Sequence, residues 1–531
     1  MSASTLTWIT ATPPTPNGEL HVGHMAGPYL AADVLRRFTL AERERVLMTS
    51  GLDDHQSYVA VRGELDGHTG EEVADINGER ITRGWELAGA DFDRLIAPRR
   101  DPGYAEFVQA FFQKLYDTGV LVPRTRPLPY CVPCDRWLYE AYVSGGCPHC
   151  GSGSSGNACE PCGRPNDCGD LIDPHCVVCG ATAELRPQTR LYLPLAPFAD
   201  RLARFWRDTP MPPHLRALCE RMLGDGMPEI AVSHPSEWGV PVTVPGFEDQ
   251  RIFVWFEMAP GYLLQCDPDS ARPGVGPVQF FGFDNGYFHA VLFPALFMAW
   301  DPEMPLARAF VVNEFYRLEG KKFSTSRRHA VWALEALKEG GADALRFHVL
   351  RDRPNGRQTN FSRGDLVRAR EHLDTVWNDW LNRLVQALRA ETGGVAPAQR
   401  PAGAGGWELL EARLTRLCGE LREAYSVEGF DTRRAVDLLD EVVRCGADFG
   451  HVHSHERERP AGRDAYRAAL SGELAVASAL AAWAAPVVPV GAARLSEALG
   501  WDPARRVDAA ALAPPPAGTV LTLPDGPVFG S

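Results

Sequence analysis

Eight of the thirteen cysteines in this 531-residue chain fall within 49 residues as four C-x-x-C pairs: "YCVPCD" (Cys131, Cys134), "GCPHCG" (Cys147, Cys150), "ACEPCG" (Cys159, Cys162) and "HCVVCG" (Cys176, Cys179). Most pairs carry Gly or Pro within or beside them, as a knuckle turn prefers. Thiolates suit zinc, and two pairs fill one closed tetrahedral shell, so the spacing predicts two structural Zn²⁺ sites without an open catalytic position. Redox pairs or disulfides are the alternative, and four clustered pairs without a thioredoxin-like context speak against it. Spacing leaves open which pairs share an ion, and Cys168 is left over. A metal-stapled module over roughly 125–185 therefore interrupts whatever fold surrounds it.

The surrounding text alternates between strand and helix signals. "LTWITAT" is followed by "PPTPNGELHVGHMAG" (13–27) and then the helical pattern "YLAADVLRRFTLAE". Strand, turn and helix start in that order offer unpaired N–H groups to an anion, and Gly23 allows a flat ligand to approach the backbone. His21 and His24 at this helix start mark a nucleotide phosphate site. A second strand, "ERVLMTSGLDDH", follows, then a helix over 104–120. After the cysteine module, "RIFVWF", "VQFFGFDNGYFHAVLFPALFMAW" and "ARAFVVNEFY" read as buried strands with a helix between them, so the α/β fold resumes.

From about 365 the strands stop. Leu366, Leu373, Val376, Trp377, Trp380, Leu381 and Leu384 share one helical face, as an amphipathic helix requires. Further helices are expected near 407–425, 432–450 and 464–484, ending in a strand-like tail, "TVLTLP". The chain has a net charge of −14, which excludes a generally nucleic-acid-coating surface but not a local basic groove. Only four of its 54 basic residues are Lys, and two of these, Lys321 and Lys322, are adjacent in "EGKKFSTSRR". A compact ammonium differs from Arg as a phosphate partner, so this loop is a second candidate for phosphate contact. No apolar run approaches a membrane span and no basic leader opens the chain, so a cytoplasmic enzyme with no membrane partner is expected.

With these residues placed, the chain resembles a class I aminoacyl-tRNA synthetase of the methionyl-tRNA synthetase family over essentially its whole length. "HVGH" is similar to the HIGH signature and "KFSTS" (Lys322–Ser326) to KMSKS. "GLDDHQ" (51–56), "WFEMAPGY" (255–262) and "FFGFDNGYFHAVLFP" (280–294) resemble the family's amino-acid-pocket segments. The resemblance implies a Rossmann-like catalytic domain in two halves (1–124 and 186–315) around a zinc-binding connective insertion (125–185). A KMSKS-like loop and linking region (316–363) and a helical anticodon-binding-like domain (364–531) would follow. It implies ATP and Mg²⁺ as cofactors, with in-line attack of an amino-acid carboxylate on the α-phosphorus. His21, His24, Lys322, Ser324 and Ser326 would be catalytic, with Gly18, Gly23, Gly282, Asp284 and Lys321 beside ATP. Asp53 would take the substrate ammonium, and Pro13, Thr15, Trp255, Met258, Tyr262, Asn285, His289 and Phe293 would line the amino-acid pocket. One zinc would take Cys147, Cys150, Cys159 and Cys162, and the other Cys131, Cys134, Cys176 and Cys179.

Several positions depart from the family pattern. Leu and Tyr after the first strand become Pro13 and Thr15, Ala-Pro becomes Met258-Ala259, an apolar pair becomes Asn285-Gly286, Trp becomes Phe293, and G-K-D reads "GFD" with Phe283. Larger Met258 should fill part of a methionine cavity, and Asn285 needs a partner if buried. The second signature lysine is Thr325, with Lys321 or Arg327 as substitutes. His451, His453 and Ala461 stand where an aromatic anticodon platform is expected, and "HVHSH" reads as an exposed polar loop. These departures predict an amino acid other than methionine. Its acyl group would pass to a small-molecule acceptor, for example an N-hydroxylated amine in specialised metabolism with a separate cupin partner, or to a tRNA. A housekeeping methionyl enzyme and a non-catalytic relative are the alternatives. The chain ends where the family's core ends, so a monomer is expected.

Overall fold

The computed structural model describes residues 6–267, 273–323, 329–459, 462–522, 524 and 526–530. Ser324, Thr325, Ser326, Arg327 and Ala461 lie outside the described residues, as does the Lys322 side chain.

Five parallel strands form the central sheet: β1 (Thr7–Ala11), β2 (Val46–Gly51), β3 (Arg94–Ile96), β4 (Val278–Gly282) and β5 (Ala309–Asn313). Their order is β5-β4-β1-β2-β3, every pair parallel. This is the doubly wound arrangement, with its switch point between β1 and β4, and ligands bind outside the strand carboxyl ends there. Side chains alternate across the sheet as a period of two requires. Ile9, Phe280 and Ala309 join one apolar core, and Trp8, Phe281 and Phe310 the other.

The cysteine-bearing segment leaves this sheet through a long antiparallel ribbon, Val122–Cys131 against Glu184–Pro194. Carboxyl-terminal to the sheet, Trp407–Tyr425, Thr432–His453 and Arg463–Trp483 are helices. They share the first core with β1 through residues such as Leu439 and Leu480. Buried Arg346 bolts the two parts together: it pairs with Asp33 at 2.7 Å and donates to the carbonyls of Val487 and Pro486 at 2.8 and 2.9 Å. No helix among the described residues is long and apolar enough to cross a membrane.

Three local expectations need correction. "RIFVWF" is strand only over Gln250–Ile252, and Val254–Cys266 is a helix. A continuous apolar run does not distinguish the two, because nearly every residue of that helix is buried. The "TVLTLP" tail forms no strand among the described residues; Val520 makes a single bridge to Val395. "HVHSH" is no loop either: His451 and His453 end a helix, and buried His453 packs its ring 4.4 Å from Phe449.

Candidate active site

β1 ends at Ala11, the chain turns through Thr12–Leu20, and His21 caps a helix that runs Val22–His24, Met25–Tyr29 and Leu30–Ala41. The His21 backbone N–H donates to Nδ1 of His24 at 3.2 Å. In a neutral imidazole this leaves the ring proton on Nε2. Burial pushes the His24 ring down to about 4, so at pH 7 it is a neutral N–H donor at a helix start, not a cation. The two imidazoles stack at 3.7 Å, and Phe323 of the lysine loop stacks on His21 at 4.5 Å. The backbones meet too, Val22 N donating to Val331 O at 3.0 Å and Ala333 N to Leu20 O at 2.7 Å. The helix start thus packs against Phe323 and the Val331–Ala333 backbone. Gly23 has a different role from the one expected, since a Cβ there would sit 2.9 Å from His21 Nδ1 and 3.4 Å from Phe323. Glycine makes room for that ring stack.

At the switch point lies a cavity of about 360 Å³ lined by Pro13, Thr15, His21, Gly23, His24, Asp53, Trp255, Gly282, Asp284 and Asn285. At Gly282 a Cβ would lie 2.5 Å from Asp284 Oδ1, so any side chain there would displace the Asp284 carboxylate. Buried Asp53 takes a hydrogen bond from the Thr15 hydroxyl at 3.4 Å. Burial, with Glu257, Glu140 and Asp54 nearby, raises its carboxyl well above the usual range despite a hydrogen bond from Gln56. An ammonium ion would relieve that cost. Lys321 lines an adjoining cavity of about 930 Å³ instead, and Gly18 lines neither.

Sequence reasoning missed Thr12, Glu160, Asn313 and Glu314, which also line the site. Asn313 ends β5 and Glu314 follows it, a position the strand order would have flagged. Glu160 lies inside the Cys159–Cys162 knuckle, and nothing local signals that this tip reaches over the nucleotide side.

Behind Trp255 stands an aromatic wall. Trp255 stacks on Phe288 at 3.7 Å, Phe281 on His289 at 4.1 Å, and Phe293 lies 5.0 Å from His289 and 5.6 Å from Tyr262. Tyr262, His289 and Phe293 therefore back the cavity without lining it. Burial holds His289 down at about 3, a neutral ring. Two premises for an unusual substrate bear on this site. Met258 does not line this cavity but a void of about 20 Å³ beside it, with Pro13, Asp53, Tyr104 and Glu257, of which Pro13 and Asp53 border both. Asn285 is only half-buried and can be satisfied by solvent.

The cysteines gather into two sets, Cys131, Cys134, Cys176, Cys179 and Cys147, Cys150, Cys159, Cys162, with ligand atoms within 4.8 Å of one another. Sγ–Sγ separations of 3.4–4.0 Å match the edge of about 3.8 Å in a tetrahedron with zinc–sulfur bonds of about 2.3 Å. The donor set fits structural zinc.

Residues 7–385 match the family model described as tRNA synthetases class I (M). A methionine–tRNA ligase of Thermomicrobium roseum is 33% identical over 400 residues, covering 72% of this chain and 68% of that one. One from Dehalococcoides mccartyi is 29% identical over 534 residues, covering 97% and 95%. The fold matches a Mycobacterium tuberculosis methionyl-tRNA synthetase in complex with methionyl-adenylate, with a TM-score of 0.81 at 22% identity over 99% of this chain and all of that one. These relatives overturn the expectation of a non-methionine substrate handed to a small-molecule acceptor. The N-hydroxylated amine, the cupin partner and the specialised metabolism fall with it. The chain belongs to the methionyl-tRNA synthetase family of class I tRNA synthetases and is an ATP-dependent amino-acid-activating ligase.

Proposed function

We propose that this chain activates methionine with ATP and passes the methionyl group to tRNA. One observation supports this most: a single cavity at the β1–β4 switch point joins the neutral His24 ring at a helix start to the buried Asp53 carboxyl and the Trp255 face. In this reading 1–124 and 186–315 are the catalytic halves, 125–185 the insertion, 316–363 the loop region and 364–531 the tRNA-reading domain.

Asp53 holds the α-ammonium, and the wall behind Trp255 receives the thioether, which suits polarizable sulfur against aromatic rings. The carboxylate attacks the α-phosphorus. An O–P bond forms, the bond to the bridging oxygen breaks, and pyrophosphate leaves with the electron pair. His24 Nε2–H donates to a phosphate oxygen, with His21 beside it. Lys322, Ser324 and Ser326 close over the pyrophosphate, while Gly282 and Asp284 border the nucleotide. Little covalent work falls to the protein, so positioning and fixed donors account for the rate. Mg²⁺, when bound with ATP, adds positive charge to the phosphates. Zinc in the two thiolate shells holds the insertion in shape.

The test is charging: the chain with ATP, methionine and total tRNA should yield base-labile methionyl-tRNA. Adenylate formation without transfer to any tRNA would contradict the acceptor half of the proposal.

A further inference from the structure

Two walls of the switch-point cavity come from distant parts of the chain. Asp53 stands on the loop after β2, and Trp255 on the first turn of the helix Val254–Cys266. Two residues beyond each, the walls touch: His55 Nδ1 and Glu257 Oε1 lie 2.8 Å apart, the carboxylate accepting from the ring N–H. The Glu257 side chain is 2% exposed and that of His55 13%, so water competes little for this bond. Trp238 covers the imidazole edge-on, with ring centroids 6.2 Å apart.

Each partner is fastened to the residue that meets the substrate. Asp53 N donates to Pro14 O at 3.0 Å and Gln56 N to Asp53 O at 3.3 Å, so His55 sits within a tight turn backed by the Pro13–Thr15 segment. Glu257 N donates to Phe253 O at 2.9 Å, which makes Trp255 and Glu257 parts of one helical turn. The far end of that helix is held separately, Thr49 Oγ1 of β2 donating to Gln265 Oε1 at 2.8 Å. Between loop and helix lies the void of about 20 Å³ that Asp53 and Glu257 both border. Packing is incomplete where the two walls approach, and the directional bond at His55 fixes a spacing that contact alone leaves loose.

We propose that the His55–Glu257 pair is a brace that sets the distance from Asp53 to Trp255 and so gauges the length of amino-acid side chain the site accepts. Both are positioning residues. The inference rests on the methionine activation proposed above: with the ammonium held at Asp53, the gap to the Trp255 wall decides how much side chain fits between them.

The experiment is ATP–pyrophosphate exchange without tRNA, comparing kcat/KM for methionine with that for ethionine, one methylene longer. Both carry the same ammonium, so any change in Asp53 ionisation cancels in the ratio. In a fitted apolar pocket one methylene is worth about tenfold or more, the ratio expected of the wild type. His55→Ala and Glu257→Leu each remove the bond and should bring the ratio to about threefold or less, with KM for ATP within about twofold. The double variant should do no worse than either single one, because the bond is lost only once. His55→Asn, which returns an amide N–H near the Nδ1 position, should recover most of the ratio. Thr49→Val, which cuts the bond at the far end of the helix, should lower Tm and leave the ratio where it was. A ratio unchanged in either His55→Ala or Glu257→Leu, or reduced equally in Thr49→Val, would overturn the brace, as would a wild type that takes both amino acids alike. Should His55→Ala fail to fold, Glu257→Leu decides alone, since a buried ionic site tolerates an apolar side chain of similar volume. A wild type exchanging only some other amino acid refutes the methionine reading, while the ratio read with that amino acid and its one-methylene homologue still decides the brace. A wild type silent with all amino acids refutes both.

Discussion

In the cysteine-rich insertion, short turns bring four thiols at a time to within 4.8 Å of each other. In the wall behind Trp255, rings pack at centroid distances from 3.7 to 6.2 Å, and His289 is also held by hydrogen-bond contacts to Gln279 and Thr12 at 3.3 and 3.4 Å. Both regions border the same cavity, Trp255 lining it and the Cys159–Cys162 knuckle placing Glu160 on its rim. The two differ in how failure spreads. A tetrahedral shell missing one ligand loses its metal, whereas packed rings accommodate substitution by degrees.

The largest effect should follow from breaking a shell. Cys159→Ser should lower zinc content from two ions per chain to one and abolish exchange. The knuckle seats on the nucleotide side through Gly163, where a Cβ would meet Leu218 at 3.0 Å and Phe283 at 3.4 Å. Metal analysis beside activity checks this, and retention of both ions would show that the shell is wrongly assigned. Next in size, His24→Ala should cost about 10²–10³ in kcat, the scale of removing one fixed transition-state donor. A loss under about threefold would remove His24 from the chemistry.

Protonation addresses the packed side of the comparison. Burial holds His24, His234 and His289 at about 4, about 3 and about 3 in the folded chain, against about 6.5 unfolded. The unfolded chain therefore binds more protons below that value. Stability from these neutral rings is whole above about pH 6.5 and is lost progressively as pH falls toward 4 and 3. Thermal melts should show Tm declining from pH 7 to 5, less steeply in His289→Gln. An identical decline in that variant would contradict the buried neutral ring. The smallest effect on specificity belongs to Met258→Ala. Truncating a buried Met costs about 2–5 kcal/mol of stability, yet the choice of amino acid should stay the same because Met258 lines a small void beside the cavity and not the cavity itself. Admission of larger side chains in exchange assays would restore Met258 as a selector.

The contrast also explains what was legible in the sequence. The four cysteine pairs, the strand–turn–helix at His21 and the helices of the carboxyl-terminal region follow from local spacing, and local spacing carries geometry; which pairs share a shell came only with the family resemblance. The amino-acid side did not read correctly. Alignment by position placed Met258 in the amino-acid pocket, whereas it borders a small void beside the cavity, and the condition set for Asn285, burial, is not met because it is half-exposed. Asn313, Glu314 and Glu160 reach the cavity only once β5 has paired with β4 and the knuckle has folded over the strand ends.

The central claim, methionine activation at the β1–β4 switch point, is tested most directly by ATP–pyrophosphate exchange with each of the twenty amino acids in the absence of tRNA. Exchange with methionine, lost in His24→Ala, is the expected result. Strong exchange with a different amino acid and none with methionine would contradict the account.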